Sequence, residues 1–309
     1  MSIVKEYSFP SVSGLGDIYV RCRLPEDGNV KAVFQIAHGM AEHCDRYDWF
    51  AEKLCEAGYA VFINNHLGHK GSVKNDDMLG FFGEKDGWLN LVEDMRKTTE
   101  LAKKEFPDLP FIVFGHSMGS FICRAYTSRY TDIDAAIYCG TGGPNPAAAM
   151  GITVANTIGK IKGVMYRSPL IDKMAFGAYN KRCPKRTAFD WLTKDEEIVD
   201  KYIDDKYCGF MFTTAGYRDL FSALGFVSKT EWAERVPEKL PIFIVSGAED
   251  PVGTYGEGVK KVYEMLRVTG HTDVEMKLYE GDRHEILNEL DRDTVAADII
   301  AFADKYADK

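Results

Sequence analysis

Ser117 stands in the pentapeptide Gly115-His116-Ser117-Met118-Gly119, directly after the apolar run Phe111-Ile112-Val113-Phe114 and ahead of a segment with helical spacing. A serine on a tight strand-to-helix turn projects its hydroxyl above the sheet, and flanking glycines let the chain bend without a Cβ clash. Ser117 is therefore the candidate nucleophile. Its hydroxyl attacks only when a base takes the proton, and an acid must orient that base and stabilise the imidazolium. Two later segments supply these groups, acid first and base second. Asp250 lies in Ser246-Gly247-Ala248-Glu249-Asp250-Pro251-Val252, beyond the run Ile242 to Val245, and His284 lies in Glu280-Gly281-Asp282-Arg283-His284-Glu285, beyond Val274 to Tyr279. Asp250 is preferred to Glu249, since Asp before Pro is the better turn element and the shorter side chain has a fixed reach. His271 precedes the last strand, at the opposite edge of a parallel sheet, and reads as a surface-loop residue.

The oxyanion of a tetrahedral intermediate needs two backbone N–H donors, each worth about 2.7–4 kcal/mol. Met118, next to the nucleophile, is assigned one of these roles. Met40 is assigned the other, in Ala37-His38-Gly39-Met40-Ala41-Glu42-His43 after the run Val33 to Ile36. His66 and His69 lie close together in His66-Leu67-Gly68-His69-Lys70-Gly71-Ser72, but no carboxylate or cysteine pattern accompanies them, so the segment reads as a structural loop without metal. His38, His43 and His116 are expected to order the loops around the nucleophile by hydrogen bonding.

The elements that must position these groups are legible as alternation. Five runs are apolar on consecutive residues, Val33 to Ile36, Ala60 to Ile63, Phe111 to Phe114, Ala136 to Cys139 and Ile242 to Val245, as suits strands buried on both faces of a parallel sheet. Helical spacing between or after them predicts helices over Tyr47 to Ala57, Trp88 to Phe106, Phe121 to Tyr130 and Asp293 to Tyr306. The result is a mostly parallel, doubly wound α/β sheet. Glu6 to Val12 and Asp17 to Leu24 alternate around Ser13-Gly14-Leu15-Gly16, predicting an edge hairpin, and Val274 to Tyr279 is the last strand. Between about Pro144 and Ser228 the alternation stops. We read residues 144–228 as a helical insertion and 1–143 with 229–309 as the core. Its first segment carries more apolar residues than one stripe needs and is interrupted by Gly151, Gly159 and Gly163, the pattern either of a loosely held lid or of residues that simply pack on the core.

The chain has 309 residues, is 45% hydrophobic and carries a formal net charge of -9, which repels phosphate backbones and argues against general nucleic-acid binding. Its start lacks a signal-peptide core and no run approaches a membrane span, so a cytoplasmic location is expected. Seven scattered cysteines without a Cys-x-x-Cys pair read as reduced thiols rather than a zinc or disulfide framework. No oligomeric state follows from the sequence.

Together, His38-Gly39-Met40-Ala41-Glu42-His43 with Arg46-Tyr47, His66-Leu67-Gly68-His69, Gly115 to Gly119, Gly247 to Val252 and Gly281 to Glu285 resemble the monoacylglycerol lipase and lysophospholipase branch of the serine α/β-hydrolases. The resemblance implies an α/β-hydrolase fold, a helical cap after the sixth strand and cofactor-free hydrolysis of carboxylic esters bearing one acyl chain. Asn65 and Lys70 depart from the family's usual Asp and Gly. The cap would form most of the acyl pocket, with Met150 and Ile158 as candidate contacts, and its apolar character is compatible with transient contact with a membrane surface. The same triad also serves amide hydrolysis, as in proline iminopeptidase relatives, or acyl transfer. A non-catalytic binding module on the same fold is the alternative of a different class.

Overall fold

A computed structural model describes residues 2–307. Eight strands form one sheet in the order β1-β2-β4-β3-β5-β6-β7-β8. They are β1 (Ile3–Pro10), β2 (Asp17–Leu24), β3 (Ala32–Ala37), β4 (Tyr59–Asn64), β5 (Phe111–His116), β6 (Ala135–Cys139), β7 (Ile242–Gly247) and β8 (Val274–Tyr279). β1 and β2 pair antiparallel, β2 pairs antiparallel with β4, and every later pairing is parallel.

The consecutive apolar runs are explained by the pleat, which sends alternate side chains to opposite faces. On one face Val33, Phe62, Val113, Tyr138 and Ile244 meet α2 (Gly87–Glu105), α3 (Met118–Thr127) and α8 (Glu257–Val268). On the other, Phe34, Val61, Phe114, Ile137 and Val245 meet α1 (Asp48–Glu56) and α9 (Arg292–Asp304). The strands of the parallel run thus need apolar residues at every position.

Between β6 and β7 the described residues form helices and no strand: α4 (Ala148–Lys162), α5 (Pro169–Phe176), α6 (Glu196–Asp204) and α7 (Thr214–Val227). α4 packs along α7, where a Cβ at Gly151 would come within 2.7 Å of the Phe221 ring. Gly151 therefore lets two helices approach rather than loosening one, which corrects the expectation drawn from its low helix propensity. α7 in turn packs on α2 and α3.

The main departures from expectation are local. β1 begins and ends earlier than Glu6 to Val12, α3 starts at Met118 rather than Phe121, and α8 was not anticipated. α3 begins directly after the turn at Ser117, where Gly119 and Ser120 hide the helical pattern. Gly119 is required there because a Cβ would lie 2.1 Å from Ala37 O.

Candidate active site

The end of β5 and the start of α3 hold Ser117 at φ 54° and ψ -121°. A non-glycine residue in this region costs on the order of 1–3 kcal/mol and persists only where its surroundings enforce it. Here the Ser117 N–H donates to Cys139 O at 3.0 Å, and a Cβ at Gly115 would collide with Gly119 O at 2.4 Å. Met118 opens the helix, so no helical carbonyl lies behind its N–H. The loop after β3 packs against the same point: a Cβ on Gly39 would stand 3.2 Å from Ser117 Cβ and 2.6 Å from Glu42 Oε1.

Asp250 and His284 meet on the loops after β7 and β8. His284 Nδ1 lies 3.0 Å from Asp250 Oδ2, with both side chains buried. The carboxylate is fixed by two further donors, the Val252 N–H on Oδ1 at 2.8 Å and the Ser246 hydroxyl on Oδ2 at 3.1 Å. Gly247 permits the two loops to touch, since a Cβ would fall 2.0 Å from Arg283 O. The segment between α5 and α6 reaches back to the histidine: His284 N donates to Trp191 O, Glu285 N donates to Leu192 O at 2.7 Å, and the Trp191 ring lies 5.0 Å from the imidazole. Met40, Ser117, Met118 and His284 all line one cavity of about 770 Å³. Met150 lines it as well. Ile158 does not; it turns toward the main hydrophobic cluster instead.

Two buried polar networks frame this site. In the first, the His38, His66 and His69 rings pack within 6.1 Å of one another, all fully buried. Their tautomers follow from their partners. His38 Nε2 accepts the His66 N–H at 2.9 Å, so its Nδ1–H donates to Gly39 O, and His69 Nε2 accepts the Ala41 N–H at 3.2 Å, so its Nδ1–H donates to Leu67 O. These bonds hold the backbone on both sides of Met40. Asn65 completes the support by accepting the Cys44 N–H at 2.8 Å, and Lys70 pairs with Asp45.

Burial keeps the three rings neutral, lowering His66 to about 4 and His69 to about 3, with His38 also well below its usual value. The unfolded chain binds these protons near pH 6.5 while the folded chain refuses them, so stability falls as pH drops below about 6.5 and levels near the folded values. Thermal melts from pH 7 to pH 4 should show this loss, and His66→Gln should make it shallower. A melting temperature independent of pH over that range would count against neutral buried rings.

The second network joins Glu42, Arg46, His116 and Glu285. Glu42 accepts the Gly39 N–H at 2.5 Å, the Tyr47 hydroxyl at 2.8 Å and Arg46 Nη1 at 2.7 Å, and its Oε1 lies 3.3 Å from His116 Nδ1. Arg46 makes a bidentate pair with Glu285 at 2.7 and 2.6 Å. His116 Nε2 faces His284 O at 3.3 Å, so both its nitrogens meet acceptors, and Glu42 raises its basicity despite burial. Against the cost of burial, the His116 hydrogen bond and then the Arg46 charge hold Glu42 well below the usual carboxylate range. The loop bearing Met40, the residue before Ser117 and the backbone of His284 are thereby joined through one charged cluster. The roles of Glu42, Arg46 and Glu285 were not readable from the sequence, because the partners come from distant segments; an acid-rich motif next to an arginine was the only local signal.

His271 is buried at 1% exposure, with Nδ1 3.1 Å from Leu266 O, and so is not the surface-loop residue expected; it anchors the end of α8. Among the described residues, His43, Asp205 and Cys208 bring potential metal-ligating atoms within 4.8 Å of one another. His43 Nε2 and Asp205 Oδ2 already share a hydrogen bond at 2.8 Å, and burial pushes the Cys208 thiol far up, which keeps the sulfur protonated. All seven cysteines are free. No helix of the described residues is long and apolar enough to cross a membrane.

The chain as a whole is similar to known hydrolases. The chain is 28% identical over 306 residues to a monoacylglycerol lipase of Mycolicibacterium smegmatis, covering 96% of each chain. It is 26% identical to the monoglyceride lipase of Rattus norvegicus, over 88% of this chain and 82% of the relative. The crystal structure of a thermostable carboxyl esterase from Bacillus coagulans, in complex with glycerol, superposes with a TM-score of 0.92 at 32% identity, covering 98% of this chain and 99% of that one. The model of the Hydrolase_4 family, described as serine aminopeptidase, S33, matches residues 28–291, and the chain belongs to that family of α/β-hydrolases.

Proposed function

We propose that the protein is a serine carboxylic-ester hydrolase acting on esters with a single acyl chain, of the monoacylglycerol or lysophospholipid kind, or on smaller esters. Ser117 attacks the ester carbonyl and His284 takes its proton, then returns it to the leaving alcohol. Asp250 orients His284, and the Met40 and Met118 N–H groups hold the oxyanion. Water activated by His284 then releases the acyl group. Residues 144–228 act as the cap over this site. The observation that carries the reading is the cavity at Ser117, bounded by Phe121, Met150, Phe176, Phe210, Phe221 and Leu224, a largely apolar chamber of a size suited to a lipid-like ligand.

An aminopeptidase would need an anionic group to hold the substrate's α-ammonium. Glu42 and Glu285 in the lining are paired with Arg46, which leaves Asp172, bonded to the Tyr217 hydroxyl, as the further carboxylate there. The largely apolar remainder of the lining favours esters. Contact with a lipid surface is supported by the α4 and α5 hairpin, which exposes Met150, Ile161, Met165, Leu170 and Met174. Residues 144–190 carry eight basic against two acidic side chains in a chain of net charge -9. That combination suits an interfacial surface facing anionic lipid.

A panel of monoacylglycerols, lysophospholipids, short p-nitrophenyl esters and aminoacyl amides tests the reading. Ester turnover with negligible amide turnover is expected. Faster cleavage of the aminoacyl amides would reverse the assignment.

A further inference from the structure

Arg124 is fully buried, and no carboxylate pairs with it among the described residues. It lies on α3, two turns beyond Ser117. Its fork joins the two strands of chain by which the cap leaves and re-enters the core. Nη1 donates to Gly142 O at 2.9 Å and reaches Thr141 Oγ1 at 3.3 Å, while Nη2 donates to Val227 O at 2.6 Å. Gly142 belongs to the outgoing stem between β6 and α4. Val227 is the last residue of α7, so the cation sits at the negative end of that helix. The guanidinium carbon also stands 4.2 Å from the centre of the Trp232 ring, on the returning stem.

A buried cation without a counter-ion is unfavourable, and an apolar side chain of similar length would fill the same space at lower cost. Burial pushes Arg124 down to about 9, which still leaves it charged at neutral pH. What the apolar residue lacks is the planar fork that grips two carbonyls at once.

We propose that Arg124 is a positioning residue that pins both stems of the cap to the nucleophile helix and so sets the shape of the acyl cavity. The outgoing stem connects onward to the nucleophile, because the Ser120 hydroxyl lies 2.8 Å from Thr141 Oγ1 and 2.6 Å from Ser117 O. The returning stem connects to the cavity wall, because Phe221 and Leu224 lie on the last two turns of α7 and both line the cavity, as does Gly142. A second tie between the stems, Asn145 N to Ser228 Oγ at 3.0 Å, lies further out and does not reach α3. Arg124 is thus the group that ties the two stems to the element carrying Ser117. The inference rests on the ester-hydrolase reading for its kinetic consequence, but not for its structural one.

Arg124→Met keeps the length and apolar packing and removes the fork; Arg124→Lys keeps the charge and reaches one carbonyl. Each is compared with wild type on p-nitrophenyl acetate and on a long-chain monoacylglycerol, with hydrogen exchange followed in residues 140–147 and 225–230. For Arg124→Met, KM for the long substrate should rise about tenfold with kcat for the acetate ester within about twofold, and Arg124→Lys should recover part of the loss. Both stems should exchange faster than in wild type while β5 and β6 do not. Equal losses on both substrates, or stems that exchange as in wild type, would overturn the proposal. Should Arg124→Met fail to fold, Arg124→Lys decides by the same readouts, with a smaller change in the same direction. Wild-type protein that cleaves neither ester would remove the hydrolase reading, and the exchange of the stems would still decide whether Arg124 pins them.

Discussion

Ser117→Ala is expected to reduce kcat for p-nitrophenyl esters by about 10⁶-fold while the melting temperature stays within a few degrees. The substitution removes the hydroxyl assigned as the attacking group. The neighbouring Ser120 hydroxyl is occupied by Ser117 O and Thr141 Oγ1, and its position inside α3 turns it away from the turn that presents residue 117. The fold should tolerate the change because alanine keeps the Ser117 Cβ, and the Ser117 N–H bond to Cys139 O belongs to the backbone. The residual rate reports what the oxyanion donors and the cavity achieve with water alone. Kinetics on a short ester together with a thermal melt separate loss of the nucleophile from loss of the fold. Turnover near the wild-type rate would mean that another residue attacks.

Asp250→Asn should lower kcat by about 10⁴-fold, through the proton it misplaces rather than through geometry. The orientation of the new amide is dictated locally. The Val252 N–H donates to Oδ1 at 2.8 Å, so the amide oxygen must remain there and the NH₂ must take the place of Oδ2, facing His284 Nδ1 at 3.0 Å. An amide donor forces Nδ1 to accept, which moves the imidazole proton to Nε2. The nitrogen that should take the serine proton then already carries one. The defect should ease at high pH, where hydroxide lessens the demand on the base, and the burst of acylation should slow in step with kcat. An activity loss below about tenfold would show that Asp250 does not set the tautomer of His284.

Much of the fold was legible because of burial on two faces. Phe34 and Phe62 go to opposite sides of the sheet, and only continuous apolar runs can satisfy both. The placement of Ser117, Asp250 and His284 at one edge of the sheet was legible because each follows such a run, and the sheet places the carboxyl ends of its parallel strands together. The region from α4 to α7 was less legible for the converse reason. Met150 and Ile161 are exposed at 57% and 73%, so apolarity there does not mark the interior, and Gly151 reads as a helix breaker until Phe221 is seen against it. The charged cluster was hidden by distance along the chain, since Arg46 meets Glu285 across 239 residues. Arg124 was hidden by its type. A single arginine in an amphipathic helix reads as a solvated residue, and only the two carbonyls of the cap stems give it a reason to be buried.

The chemistry at Ser117 is tested most directly by covalent labelling. Protein treated with a fluorophosphonate should gain the mass of one adduct per chain, located on the peptide containing Ser117, and Ser117→Ala should gain none. An adduct on another residue, or no adduct on protein with a normal melt, would contradict the assignment of Ser117 as the nucleophile.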